Sequence, residues 1–192
     1  DRLRILPTPD DIASAQEDRK SHSAGVVVGL VPASRYSHKE WFEEGWIALA
    51  DRVRARGAVQ TKMFCAATEV GRFGQIAAAS DSRLLVAHTP EEHVRSVLSV
   101  DLVVTVDTAL KHVAAYLGRP VVALYGHSSP EIWGSLSSKE VAIRSSVRGE
   151  PCNNPFRCEL GNDDCMRDIS PQVVADRVLE ILMGGDSWTS IS

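Results

Sequence analysis

Short apolar runs recur along this chain with helix-patterned segments between them, and that alternation restricts the fold more than any other feature. The runs are Val26 to Val31, Val59 to Cys65, Leu84 to Ala87, Leu102 to Val106, Val121 to Tyr125 and, more weakly, Val141 to Arg144. Strands that alternate with helices imply βαβ units and a parallel sheet. The helical segments carry matching marks. Trp46, Leu49, Ala50 and Val53 form one apolar stripe that ends at Gly57, a good stop signal. Thr89-Pro90-Glu91-Glu92 is a capping box with proline at the first helical position, and Val94, Val97 and Leu98 form the buried face behind it. Ser170-Pro171 opens a last helix in the same way, with Val174, Val178, Ile181 and Leu182 inward. The expected fold is α/β: a Rossmann-like parallel sheet with helices on both faces.

A chain of 192 residues with 44% hydrophobic residues can bury one full core, which predicts one domain. Residues 1–24 read as a polar arm with a helical candidate from Asp10 to Lys20, 25–183 as the domain, and 184–192 as a tail. Residues 146–168 show no periodicity and are rich in Asn, Asp, Pro, Gly and Cys, so a long surface loop is expected there. The net charge of -4 offers no broad electrostatic attraction to nucleic acid, so local basic clusters must do any anion binding. No apolar run approaches a membrane span, and Asp1 to Pro7 lacks the apolar region of a signal peptide. A cytoplasmic protein without a transmembrane segment is expected.

Two stretches carry the chemistry. Val104 to Ala115 and Val121 to Pro130 each run from a buried strand into a polar turn, and such carboxyl-end turns are where ligands bind in parallel α/β sheets. Helix amino termini there favour anions, which makes phosphate the first ligand to consider. Asp107 is placed to cap the following helix, leaving the N–H groups of Ala109 and Leu110 for a ligand. Thr108 and His112, four apart, share a helix face. Ser34, Arg35 and Lys39 lie in the loop after the first strand. Glu69, after the second strand, suits ribose hydroxyls, although favourable charge at a helix N-terminus explains it equally well. Gly126 permits a tight turn, and Ser128 offers a hydroxyl and an N–H. A plain cap at Asp107, a semi-buried histidine at His112 and solvated charges at Arg35 and Lys39 are the competing structural readings.

These turns, together with Pro32 to Trp41 and Asp164 to Pro171, resemble the C-terminal half of the family 9 glycosyltransferases, which contains the lipopolysaccharide heptosyltransferases. Order and spacing match over about residues 25–183, and Asp-Thr-x-x-x-His followed by Gly-x-Ser-x-Pro is specific in combination. The resemblance implies the donor-binding domain of an inverting transferase of the two-domain GT-B architecture, moving heptose from ADP-heptose to lipopolysaccharide core without a further cofactor or metal. It assigns Lys39, Asp107 and His112 to catalysis. Ser34, Arg35, Glu69, His88, Thr108, Ala109, Gly126 and Ser128 would hold the donor, with His88 in the loop of the nucleobase contact. Lys39 would neutralise the leaving pyrophosphate. An N-terminal acceptor-binding domain would supply the general base, so this chain alone is expected to be inactive. A cytoplasmic place, with peripheral contact to the inner face of the inner membrane, goes with that function.

Three departures stand out: Ala109 where the family usually has Gly, His127 where it has Pro, and a loop spacing one residue longer at Ser34, Arg35 and Lys39. Two other classes remain open, a nucleotide-sugar epimerase of the same architecture, for which residues 126–134 offer only Glu131, and a non-catalytic nucleotide-binding module. Cys152, Cys158 and Cys165 lack the paired spacing of a structural zinc site, with Cys65 a distant fourth, and no metal is expected.

Overall fold

Successive strand residues point to opposite faces of a sheet, so a strand buried on both sides needs apolar residues at every position. That is how the runs are used. Val28, Leu30, Leu102, Val104, Val106, Val122 and Leu124 face one side, whereas Val27, Val31, Val103, Val121, Ala123 and Tyr125 face the other. The computed structural model describes residues 7–20, 25–147, 151–154 and 164–184. Among them, β1 (Val26–Val31), β2 (Val59–Ala66), β3 (Arg83–Ala87), β4 (Leu102–Val106), β5 (Val121–Tyr125) and β6 (Glu140–Arg144) form one all-parallel sheet in the order β3-β2-β1-β4-β5-β6. The expected strands are all present, three of them one residue longer at one end than the apolar runs suggest.

The helices are α1 (Pro9–Lys20), α2 (Glu43–Arg54), α3 (Val70–Ala79), α4 (Pro90–Leu98), α5 (Ala109–Tyr116), α6 (Pro130–Trp133), α7 (Asp164–Arg167) and α8 (Pro171–Leu182). Trp46, Leu49, Ala50 and Val53 of α2, Phe73 and Ile76 of α3, and Val174 and Val178 of α8 cover one face of the sheet. Val97 of α4 and Ala114 of α5 cover the other. The caps follow the sequence. The Thr89 hydroxyl accepts from the Glu92 N–H, while the Glu92 carboxylate accepts from the His88 N–H at 2.6 Å; the Ser170 hydroxyl accepts from the Gln172 N–H. Gly57, with φ +82°, ends the turn after α2 in the left-handed region that favours glycine.

Two features depart from expectation. The long loop contains the short helix α7, which drives Cys165 and Met166 into the core. Gly126 is not in a left-handed turn; a Cβ there would lie 2.5 Å from Met166 Sδ and 3.2 Å from Cys165 Sγ, so glycine makes room for α7. Cys158, residues 21–24 of the arm and residues 185–192 of the tail lie outside the described residues.

Helix α1, within the expected arm, lies against α4. It has little apolar surface to offer, Ala15 being its buried contact, so charge holds it. Thr8 caps Asp11 and is capped by it; Arg19 pairs with Asp101 at 2.5 Å, and Asp18 pairs with Lys62 at 2.6 Å and Arg83 at 2.7 Å. Lys62 is fully buried on β2, its ammonium also donating to Ser99 O and Oγ at 3.3 Å. Burial opposes ionisation of Asp18, but Lys62 and Arg83 outweigh it and hold the carboxyl below its usual range. Its contribution to stability is therefore complete above the ordinary carboxylate pKa and is lost as pH falls through the lowered one. Asp18→Ala, which strands a buried ammonium, is expected to cost roughly 1–3 kcal/mol in urea denaturation at neutral pH, and Lys62→Met in the same chain to recover part of the loss. A single variant as stable as wild type would show that Lys62 needs no counter-ion.

Candidate functional site

The strand order reverses between β1 and β4, and the chain ends of these strands diverge to leave a crevice, the usual ligand position in a doubly wound sheet. A cleft of about 440 Å³ opens there, at the carboxyl ends of β1, β2 and β4. Its walls combine apolar groups such as Phe64, Val94 and Val113 with Ser34, Arg35, Glu69 and Thr108. A pocket mainly apolar with a few polar groups at its rim suits an aromatic heterocycle carrying hydroxyls.

Beside the cleft stands an ionic chain. The Lys39 ammonium, brought in by a 3-10 turn at Ser37–Lys39, donates to Asp107 Oδ2 at 2.9 Å. Lys111 Nζ donates to Asp107 Oδ1 at 2.7 Å, to Tyr125 Oη at 2.9 Å and to the Trp133 carbonyl at 2.5 Å. Tyr125 in turn donates to Glu140 Oε1 at 2.5 Å, and Glu140 Oε2 accepts from the Ser135 N–H at 2.7 Å. Burial works against the Asp107 anion, yet the two ammonium groups outweigh it and keep its pKa below the ordinary value. Burial, with the Glu140 carboxylate, pushes the Tyr125 phenol far up, so it stays a neutral donor.

Asp107 therefore does not cap α5, as the sequence suggests. The cap position is Thr108, whose side chain makes no capping bond, because the Asp107 carboxylate is drawn instead to two ammonium groups. The same i, i+4 spacing that relates Thr108 to His112 relates Asp107 to Lys111, and it was the signal by which Lys111 could have been found.

The other predicted residues divide. Ser34, Arg35, Glu69, Thr108 and Ala109 line the cleft. The Ser34 N–H is held by Glu40 Oε1 at 3.0 Å, and Glu40 pairs with Arg72 at 2.6 Å, which fixes the loop. Glu69 lines the cleft and its carboxylate accepts from the Ala66 N–H at 3.0 Å, at the start of the helical segment after β2. His112 is exposed one turn along α5 and outside the cleft lining, its pKa lowered by partial burial and by Lys111. His88 is exposed and also outside the lining; His93 of α4 stands there in its place. Glu131 is exposed and accepts from the Ser129 hydroxyl.

The turn after β5 is buried. His127 meets His38 edge to face with ring centroids 4.7 Å apart, and His38 Nε2, His127 Nδ1 and Ser128 Oγ have no hydrogen-bond partner among the described residues. Asn153 straps the turn, donating its N–H to the His127 carbonyl and accepting from the Ser129 N–H, both at 2.8 Å. Among the described residues no group of three or more His, Cys, Asp or Glu is placed to hold a metal ion, and no helix is long and apolar enough to cross a membrane.

Fold and site together define a doubly wound α/β domain with an apolar cleft and a lysine-bearing platform at its switch point. Residues 8–159 match the profile of glycosyltransferase family 9 (heptosyltransferase), and the chain belongs to that family. It is 31% identical to lipopolysaccharide heptosyltransferase 2 of Salmonella typhimurium over 81% of its own length and 47% of that protein. It is 30% identical to lipopolysaccharide heptosyltransferase 1 of Pseudomonas aeruginosa over 94% of its length and 56% of that protein. The solved structure of E. coli ADP-heptose LPS heptosyltransferase II superposes with a TM-score of 0.75 at 24% identity, over 95% of this chain and 54% of that one. The chain thus spans about half the length of the curated relatives it matches.

Burial, then the Lys39 charge and the neighbouring His38, push the His127 pKa down from 6.5 to about 4, with Asp107 opposing. A histidine whose folded pKa is lowered binds its proton in the unfolded chain first, so stability is full above 6.5 and falls as pH drops toward 4. His127→Gln should remove about 2 kcal/mol of that decline. Urea denaturation across the window checks it, and an unchanged pH slope would mean that folding does not lower the His127 pKa.

Proposed function

We propose that this chain is the donor-binding half of an inverting glycosyltransferase that takes heptose from ADP-heptose to a lipopolysaccharide-core acceptor. The observation that carries the reading is the Lys39 ammonium standing beside an apolar cleft at the β1/β4 switch point, in a chain of the heptosyltransferase family. The relatives described above, lipopolysaccharide heptosyltransferases and an ADP-heptose heptosyltransferase, suggest the donor and acceptor classes.

In this reading the base and ribose occupy the cleft, with the Glu69 carboxylate accepting from ribose hydroxyls and Arg35 and Ser34 at the rim. The diphosphate lies toward Thr108, the first N–H groups of α5 and Lys39. The acceptor oxygen attacks the anomeric carbon from the face opposite the nucleotide. The new C–O bond forms as the bond from the anomeric carbon to the phosphate oxygen breaks, the acceptor proton passes to a general base and ADP departs. The negative charge that grows on the diphosphate is the charge Lys39 is placed to meet, so the proposal includes no metal and no further cofactor. Asp107 holds the Lys39 ammonium in position. His112, exposed on α5 one turn from Thr108, is assigned to the outer phosphate in this reading. The base and acceptor site belong to an N-terminal domain, so this half alone binds donor without turnover.

Calorimetry with this chain tests the diphosphate site. ADP is expected to bind more tightly than AMP, and Lys39→Ala and His112→Ala each to weaken ADP by about 1–3 kcal/mol, the range of charge-assisted hydrogen bonds. Equal affinity for ADP and AMP contradicts the assignment.

A further inference from the structure

Two lysines share the Asp107 carboxylate, one on each oxygen, and their surroundings differ. Lys111 has 0% of its side chain exposed and Asp107 8%, whereas Lys39 has 12% and comes from a loop. An ammonium has three N–H donors. All three donors of Lys111 are matched, by Asp107 Oδ1, Tyr125 Oη and the Trp133 carbonyl. Tyr125 is itself tied to Glu140, so the Lys111 end of the chain is closed. Among the described residues the Lys39 ammonium makes one hydrogen bond, to Asp107 Oδ2, and stands 5.6 Å from the centre of the Trp133 ring.

This difference matters when an anion arrives. If Lys39 were the sole partner of Asp107, moving it onto a phosphate would strand a buried carboxylate, at a cost that cancels much of the new contact. Lys111 removes that penalty. We propose that Lys39 is an exchangeable cation, held by Asp107 in the free chain and passed to the donor diphosphate on binding, and that Lys111 is the positioning residue that makes the exchange possible by staying on Asp107. The inference rests on the diphosphate site proposed above. Lys111 touches no ligand. It acts by deciding how tightly Asp107 retains Lys39.

A double-mutant cycle on ADP affinity tests it, with adenosine as the phosphate-free control. In the wild-type background Lys39→Ala should weaken ADP roughly tenfold or more, the equivalent of one charge-assisted hydrogen bond. Lys111→Met should weaken ADP about tenfold as well, because Lys39 is then retained by Asp107, and should leave adenosine affinity unchanged. Combined with Lys111→Met, Lys39→Ala should cost less than about twofold. Lys111→Arg, which keeps the charge, should restore at least part of the ADP affinity. If Lys39→Ala has no effect in the wild-type background, the diphosphate site itself fails and this inference with it. If Lys39→Ala costs the same with and without Lys111, the diphosphate site stands and the exchange is wrong. Loss of adenosine binding along with ADP in a folded Lys111→Met chain also overturns it, since that is the mark of a collapsed cleft. Should Lys111→Met not fold, NMR of the lysine ammonium groups of the wild-type chain decides: on adding ADP the Lys39 signal should move and the Lys111 signal stay. Equal movement of both, or of neither, contradicts the proposal.

Discussion

A buried carboxylate between two ammonium groups is the interaction on which the rest of this site depends. Asp107 follows β4 at the point where the strand order reverses, and an uncompensated anion there would be costly. Its two partners come from opposite sides in sequence, Lys39 from the loop after β1 and Lys111 from α5. The ion pairs therefore tie together the two halves of the sheet, the loop that frames the cleft and the helix that follows it. Through Tyr125 and Glu140 the same chain reaches β5 and β6. The carboxyl edge of the sheet is organised by charge, while its faces are organised by apolar packing.

The loops around this edge are held by similar means. Glu40 fixes the Ser34 amide and pairs with Arg72, the Trp41 indole donates to the Ile169 carbonyl at 3.1 Å, and Asn153 bridges to the turn after β5. Segments far apart in sequence thus meet over one region. Rigidity of this kind favours a binding site whose groups are in place before the ligand arrives. His38 Nε2 and His127 Nδ1, without hydrogen-bond partners among the described residues, lie within the same region, and burial and the Lys39 charge lower the His127 pKa, which favours a neutral ring there.

The fold was largely legible in the sequence because apolar burial on two faces leaves a strong local signal. Val26–Val31, Leu102–Val106 and Val121–Tyr125 coincide with their runs, and the stripe of Trp46, Leu49, Ala50 and Val53 is buried as its spacing requires. The cleft residues Ser34, Arg35, Glu69, Thr108 and Ala109 were legible through their positions after strands and through the family resemblance. What escaped depends on contacts between distant segments. Helix α7 has a single turn, too short for periodicity, and it forms because Gly126 admits Met166. Lys111 reads as an ordinary helix lysine until Tyr125 and Trp133 are brought beside it. His88 was placed by resemblance alone, and its side chain remains in solvent where His93 lines the cleft. Asp107 could pass for a helix cap because local sequence cannot weigh a cap bond against two lysines.

The central claim is that the Asp107 platform, with its two lysines, presents a diphosphate site next to a nucleoside cleft. A crystal structure of the chain with ADP tests it most directly. The account predicts the adenosine in the cleft between Glu69 and Val113, diphosphate oxygens within hydrogen-bond distance of Lys39 Nζ and Thr108, and Lys111 still on Asp107. A nucleotide bound away from the β1/β4 switch point, or diphosphate oxygens out of reach of Lys39, would contradict it.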